Sequence, residues 1–201
     1  MNVETTIRNL KSRGFIVTYF PTAAEAADYL DSAIDGKTVG IGGSVTVQDL
    51  GMHERLSRHN EVYWHWYESE GLALEEVYAR CATAQVYLSS VNAIAETGEL
   101  VSIDGKGNRT SSMLFGHEKL YLIAGVNKIA GTYEKAVWRT RNIAAPKDAQ
   151  RLGRKTPCAA KADKCYDCKS PDRICNGLLT LLGPMSSMET EIVLIGEALG
   201  F

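Results

Sequence analysis

A chain of 201 residues with 45% hydrophobic and 23% charged side chains has the balance of a globular protein with a real core, which excludes a disordered or fibrous one. Lys+Arg 22 against Asp+Glu 24 leaves a formal charge of −2, so overall charge supports neither nucleic acid nor a membrane surface as a partner. No window approaches the ~18 consecutive apolar residues of a membrane span, and the opening MNVETTIRNLKSRGF lacks the apolar stretch of a secretory signal, so a cytoplasmic location is expected. In that compartment five cysteines read as metal ligands, redox groups or core residues and not as a disulfide framework.

From Met1 to about Ala145 helix-like and strand-like segments alternate, the signature of an α/β fold with helices flanking a mainly parallel sheet. Val3, Ile7 and Leu10 fall on one helical face, and Gly14 ends that run before a strand at Phe15 to Phe20. Thr22, three residues before Glu25, forms a capping box for a helix that buries Ala26, Ala27, Leu30 and Ile34 and stops near Gly36. Thr38 to Ile41 is a short strand leading into Gly42-Gly43-Ser44, followed by a helix carrying Val47, Leu50 and Leu56 up to about Asn60. Val62 to Tyr67 alternates strictly, and the helical spacing of Leu74, Val77, Tyr78 and Cys81 makes Cys81 a core residue. That helix reaches back to a strand at Gln85 to Val91. Leu100 to Ile103, the turn Asp104 to Asn108 and the segment after it look like an antiparallel excursion. Leu120 to Ala124 and Ile192 to Ile195 read as strands buried on both faces, with a helix from about Thr132 to Ala145, stopped by Pro146, between them.

From Lys147 to Arg173 the apolar periodicity disappears, and eight basic residues face four acidic ones. Cys158, Cys165, Cys168 and Cys175 lie in or beside this stretch, with six, two and six residues between successive members. Such a polar segment lacks the apolar surface to offset an ordering cost of about 1–2 kcal/mol per backbone residue. Four thiolates on one metal centre would hold it, with the central CxxC reaching the centre from a tight turn. A redox dithiol is the competing reading. Zinc with four thiolates and a 2+ four-iron cluster with four thiolates carry the same charge of about −2, so the nearby lysines and arginines do not choose between them, and the spacing matches neither common pattern.

Gly40 to Ser44, after a strand and before a helix, offers backbone N–H groups to an anion, with Gly42 and Gly43 permitting close approach and Ser44 and Thr46 adding hydroxyls. A structural turn is the alternative. Strand ends in open α/β sheets are where ligands bind, so Glu96, Thr97, Asn108, Arg109, Asn127 and Lys128 form a candidate polar rim. The four histidines show no metal-ligand spacing, and Trp64 and Trp66 read as core fillers.

Gly42 to Thr46 (GGSVT), SSVNAIAETGE at Ser89 to Glu99, DGKGNR at Asp104 to Arg109, GVNKI at Gly125 to Ile129, RNIAAP at Arg141 to Pro146 and the RLGRKTPC-to-RIC segment at Arg151 to Cys175 together resemble the lactate-utilization (LUD) domain family, in a cysteine-bearing, stand-alone form. The resemblance implies a single domain over 1–201 with a four-cysteine metal-binding excursion at about 147–176, and a fold similar to ribose-5-phosphate isomerase, glucosamine-6-phosphate deaminase and CoA transferases. It also implies a part in oxidising lactate to pyruvate beside iron–sulfur partner proteins, which tilts the cysteine site toward a four-iron (4Fe-4S) cluster, with zinc as the alternative. Three functions follow. The first is a redox component with a cluster at the four cysteines and a small anionic metabolite in the glycine-loop pocket. The second is an isomerase- or CoA-transferase-like enzyme with structural zinc and Glu96 or Glu99 as base or carboxylate nucleophile. The third, least favoured by so modest a local charge, is an interaction module. A homodimer is the default expectation for a small α/β protein.

Overall fold

The computed structural model describes residues 2–67, 69 and 71–201. Its centre is a six-stranded sheet in the order β1 (Ile16–Phe20), β10 (Glu189–Ile195), β7 (Lys119–Gly125), β4 (Val86–Ser89), β2 (Thr38–Ile41), β3 (Glu61–Trp64), with every neighbouring pair parallel. Period-2 alternation divides the core between its two faces. Leu120, Leu122 and Ala124 of β7 point to one face, and Tyr121 and Ile123 to the other. On the second face α2 (Ala23–Ala33) buries Ala26, Ala27 and Leu30, and its Thr22 and Glu25 form the expected capping box. On the first face lie α1 (Val3–Ser12), α5 (Leu74–Ala82) and a second sheet.

That second sheet has the order β8 (Ile129–Ala130), β5 (Ala93–Ala95), β6 (Leu100–Asp104), β9 (Gly177–Leu181). β5 pairs parallel with β8, whereas β6 is antiparallel to both of its neighbours. The antiparallel excursion therefore exists, but its partners are β5 and β9. The segment after the Asp104 turn is instead a short helix, α6 (Asn108–Leu114), because Asp104 accepts from the backbone N–H groups of Lys106, Gly107 and Thr110 and so starts a helical turn.

Three further expectations need correction. The helix after the glycine loop is two short ones, α3 (Val45–Asp49) and α4 (Met52–Leu56), because Gly51 between them adopts φ 64°. β3 stops at Trp64, and residues 65–67 turn away. Pro146 does not stop the helix: α7 (Tyr133–Arg139) runs through a π-helical turn at Thr140–Ala144 into α8 (Ala145–Arg151). A proline ring clashes with the carbonyl four residues earlier, here Asn142, and the widened turn sits at that carbonyl. α8 and α9 (Pro157–Lys161) also bury Ala149 and Ala159, so the cysteine-bearing segment has some apolar anchoring of its own.

Cys81 is buried against β2, its thiol donating weakly to the Ile41 carbonyl at 3.6 Å, and burial pushes its pKa up to about 12. It packs so closely that a Cβ on Gly40 would collide with the Cys81 carbonyl oxygen. Gly40→Ala should therefore lower unfolding free energy by about 1–3 kcal/mol or more, while Gly177→Ala, whose nearest neighbour would be 3.9 Å away, should change it by less than about 0.5 kcal/mol. Urea unfolding of the two variants checks this.

Candidate functional site

The parallel strands β7, β4 and β2 are adjacent, so their C-terminal ends open on one edge of the sheet, where α/β proteins bind ligands. Gly43 to Thr46 follow β2, Ser90 to Asn92 follow β4, and a 3-10 turn at Val126–Lys128 follows β7. Lys128 joins all three. Its Nζ donates to Thr46 Oγ1 at 2.7 Å and to Ser90 Oγ at 2.8 Å, and the residue is only 3% exposed. Burial, with the Arg139 and Arg109 guanidiniums nearby and Asp49 the one opposing charge of note, lowers its pKa to about 7.

Lys128, Thr46 and Ser90 belong to a cavity of about 480 Å³, within the ~300–1,000 Å³ of small-ligand sites. Its walls carry Lys106, Arg109, Lys128, Arg151, Arg154 and Arg173 against Asp104, Asp148 and Asp172, an excess of positive charge in a chain that is slightly acidic overall. Several of these cations are already committed. Arg109 donates to the Ser90 and Ile103 carbonyls and to Asn92 Oδ1, which makes it a brace for the strand ends. Arg151 lies 4.6 Å over the Trp66 ring and Lys106 4.0 Å over that of Tyr78, which in turn stacks on His65. Desolvation, with Lys106 and Arg151 nearby, lowers the His65 pKa and favours its neutral ring.

Of the residues expected at the rim, Gly43, Ser44, Thr46, Asn108, Arg109 and Lys128 line this cavity. Gly42 stands behind it, where a Cβ would come 2.6 Å from the Tyr87 hydroxyl, so its role is close packing. The Ser44 hydroxyl accepts from the Val47 N–H and caps α3. Asn127 is turned to the C-terminal segment, bonding the backbone of Leu199 and Gly200. Glu96, Thr97 and Glu99 lie in the tight turn between β5 and β6 and do not line the cavity. Glu96 accepts from the Asn2 N–H, and Glu99 is bonded to Arg13 and Thr97, so both carboxylates fasten the turn to α1. As candidate catalytic groups, Glu96 and Glu99 are not brought to the ligand space. In the sequence Arg151, Arg154 and Arg173 read only as a charged setting for the cysteines, and Trp66 as a core filler; their place in the cavity wall depends on long-range folding that spacing does not encode.

The four cysteines of the basic segment line a second cavity, of about 270 Å³, and none is in a disulfide. Among the described residues no three His, Cys, Asp or Glu side chains are gathered closely enough to hold one metal ion, so the expected four-cysteine metal-binding excursion is not shown. Donors surround the thiols: Cys165 Sγ accepts from the Asp167 N–H at 3.3 Å with Arg141 Nη2 4.0 Å away, and the Thr156 hydroxyl stands 3.2 Å from Cys158 Sγ. Hydrogen bonds to sulfur and nearby cations stabilise thiolates and the negative charge of a thiolate-bound cluster. Burial and the three neighbouring thiols instead raise the Cys175 pKa in the metal-free form.

Ile103, Ala145, Arg173 and Ile174 line both cavities. The segment that forms this shared wall is tied down on each side. Lys155 N–H and Arg154 bond Asp172, at 2.6 and 3.2 Å. Asn176 donates from its backbone to the Asp104 carbonyl at 2.9 Å and from its side chain to the Gly105 carbonyl at 3.0 Å. A Cβ on Gly105 would come 2.9 Å from Ile174 Cα, so the Asp104 turn and the cysteine segment touch backbone to backbone.

The family model for the LUD domain matches residues 3–195. Among solved structures the chain is similar to a DUF162 family protein from Deinococcus radiodurans, with TM-score 0.56, 14% identity and 96% of each chain covered, a likeness of fold. Comparison with curated proteins returns no match. None of the described helices is long and apolar enough to cross a membrane.

Lys128 makes the stability of this site depend on pH. Its pKa falls from 10.5 in the unfolded chain to about 7 in the folded one, so between those values the unfolded chain binds more protons and stability rises with pH. Lys128→Met should be the more stable at pH 7 and should lose the part of the rise between about pH 7 and 10 that the wild type shows. Urea titrations of the two proteins across that range measure the difference.

Proposed function

The chain belongs to the LUD domain family, and on that premise we propose that it is a redox component of lactate utilization that binds an iron–sulfur cluster at Cys158, Cys165, Cys168 and Cys175 beside a pocket for a small anionic metabolite. The observation that carries this reading is the shared wall: the cavity that holds the four free thiols and the basic cavity at the strand ends have Ile103, Ala145, Arg173 and Ile174 in common. When bound, a four-iron cluster supplies one-electron transfer. The residues of the chain do the rest. Lys106, Arg151 and Arg154 attract and orient a carboxylate at the cavity wall. Arg109 and Arg139 hold the loops that follow β4 and β7, Arg139 through the Asn92 and Asn127 carbonyls at 2.6 and 3.2 Å. Ile103, Ala145 and Ile174 put apolar residues in the wall common to the two cavities. Partner proteins carrying their own iron–sulfur groups would exchange electrons at the exposed side of the cysteine segment.

The isomerase or CoA-transferase alternative has less support, since Glu96 and Glu99 bond Asn2 and Arg13 at the turn beside α1 and do not line the basic cavity. Zinc at the same four cysteines is the alternative metal, and the family context is what favours the cluster over it.

Protein purified without oxygen should show broad absorbance at about 400 nm and bind about four irons per chain. Cys165→Ser combined with Cys168→Ser should lose both signals. A colourless preparation holding a single tightly bound zinc would overturn the reading.

A further inference from the structure

We infer that Lys128 Nζ is a nucleophile that forms an imine with the carbonyl carbon of a 2-oxo acid at the floor of the basic cavity. The choice of a 2-oxo acid rests on the lactate-utilization reading; the nucleophile rests on geometry. An ammonium has three hydrogens to donate, and a neutral amine has two and a lone pair. Among the described residues Lys128 Nζ has two acceptors, Thr46 Oγ1 and Ser90 Oγ, and makes no ion pair. The environment therefore matches the neutral amine, with the lone pair left for a ligand.

Charges around the amine act in the same direction. Arg109, from α6, and Arg139, from α7, disfavour a further cation nearby, and Asp49, at the end of α3, is the acidic group that opposes them. A lysine whose task was to hold an anion by charge would gain from a fixed positive charge, and this one is almost wholly buried beside two guanidiniums that work against it. Desolvation next to other cations is the general way proteins make a lysine amine reactive toward carbonyls near neutral pH. The cavity wall supplies the other half of recognition: Arg151 and Arg154 line it and, though paired with Asp148 and Asp172, keep guanidinium N–H groups outside those pairs for a carboxylate one bond from the carbonyl.

The step is a condensation with no change in oxidation state. The amine lone pair forms the C–N bond, the carbonyl π pair moves to oxygen, and the C–O bond breaks as that oxygen leaves with the two amine hydrogens as water. Hydrolysis reverses it.

The test maps adducts on the full chain. Protein is incubated with pyruvate and cyanoborohydride, which delivers hydride to the imine carbon, and its peptides are weighed. The expected result is an N-carboxyethyl group on Lys128, formed at least about tenfold faster than on any other lysine, with a rate that rises to a plateau through pH about 7. Lys128→Arg should abolish it. Pyridoxal 5′-phosphate, an anionic aldehyde, serves as a second probe. Labelling of exposed lysines with Lys128 untouched by either probe overturns the nucleophile. Labelling of Lys128 by the aldehyde but not by pyruvate overturns the 2-oxo acid and, with it, the lactate reading of the cavity. Iron content is measured on the same samples, so a failure of the cluster and a failure of the adduct are seen separately.

Discussion

One short segment, Pro171 to Cys175, has to satisfy two cavities at once, and the site depends on how firmly it is held. Its polar residues alone would not order it. Asp172 ties it back to Arg154 and Lys155, Ile174 lies against the backbone of Gly105, and Asn176 bonds Asp104 and Gly105 just before β9 joins β6. The second sheet thus matters less as a source of core than as the anchor that sets the cysteines beside the strand ends. At the other end, the π-helical turn at Thr140–Ala144 keeps one helix continuous across Pro146, so Arg141 within that turn reaches Asp167 and approaches Cys165. Widened helical turns of this kind recur at functional sites because they aim side chains that a regular helix would not.

Lys128 is the second constraint. A single amine on the turn after β7 ties the loops after β2 and β4, alongside the Arg109 and Arg139 braces, and makes no ion pair among the described residues. Stability is given up there locally: a buried cation beside two guanidiniums disfavours folding whenever it is protonated. A buried amine hydrogen-bonded only to hydroxyls, with no ion pair among the described residues, is the kind of local conflict that marks functional ground.

Much of the fold is legible in the residues. Helical spacing identifies α2 and α5, the Thr22–Glu25 pair identifies the capping box, and short apolar runs identify β1, β2 and β7, because each buries a face or a run against neighbours that the pattern itself implies. The second sheet is only half visible. β5 has three residues and β8 two, too short for a period, and β9 exposes Leu178, so its hydrophobic residues do not alternate in and out. Gly51 and Pro146 mislead in opposite directions: an αL glycine splits one expected helix, and a π turn carries another past its proline. At the site, strand-end logic finds the glycine loop, Asn108, Arg109 and Lys128, whereas Glu96 and Glu99 fit that logic equally well and serve α1 instead. A carboxylate in a turn looks the same in sequence whether it meets a ligand or an arginine from another element; Arg13, far away in the chain, decides it.

X-ray absorption at the iron edge of protein prepared without oxygen tests the central claim most directly, because it reports what the four thiols hold. The account predicts iron with a sulfur shell and a second shell of neighbouring iron, both lost when Cys165 and Cys168 are replaced by serine. Zinc with four sulfurs and no metal neighbour, or thiols that alkylate freely with no metal bound, would contradict it.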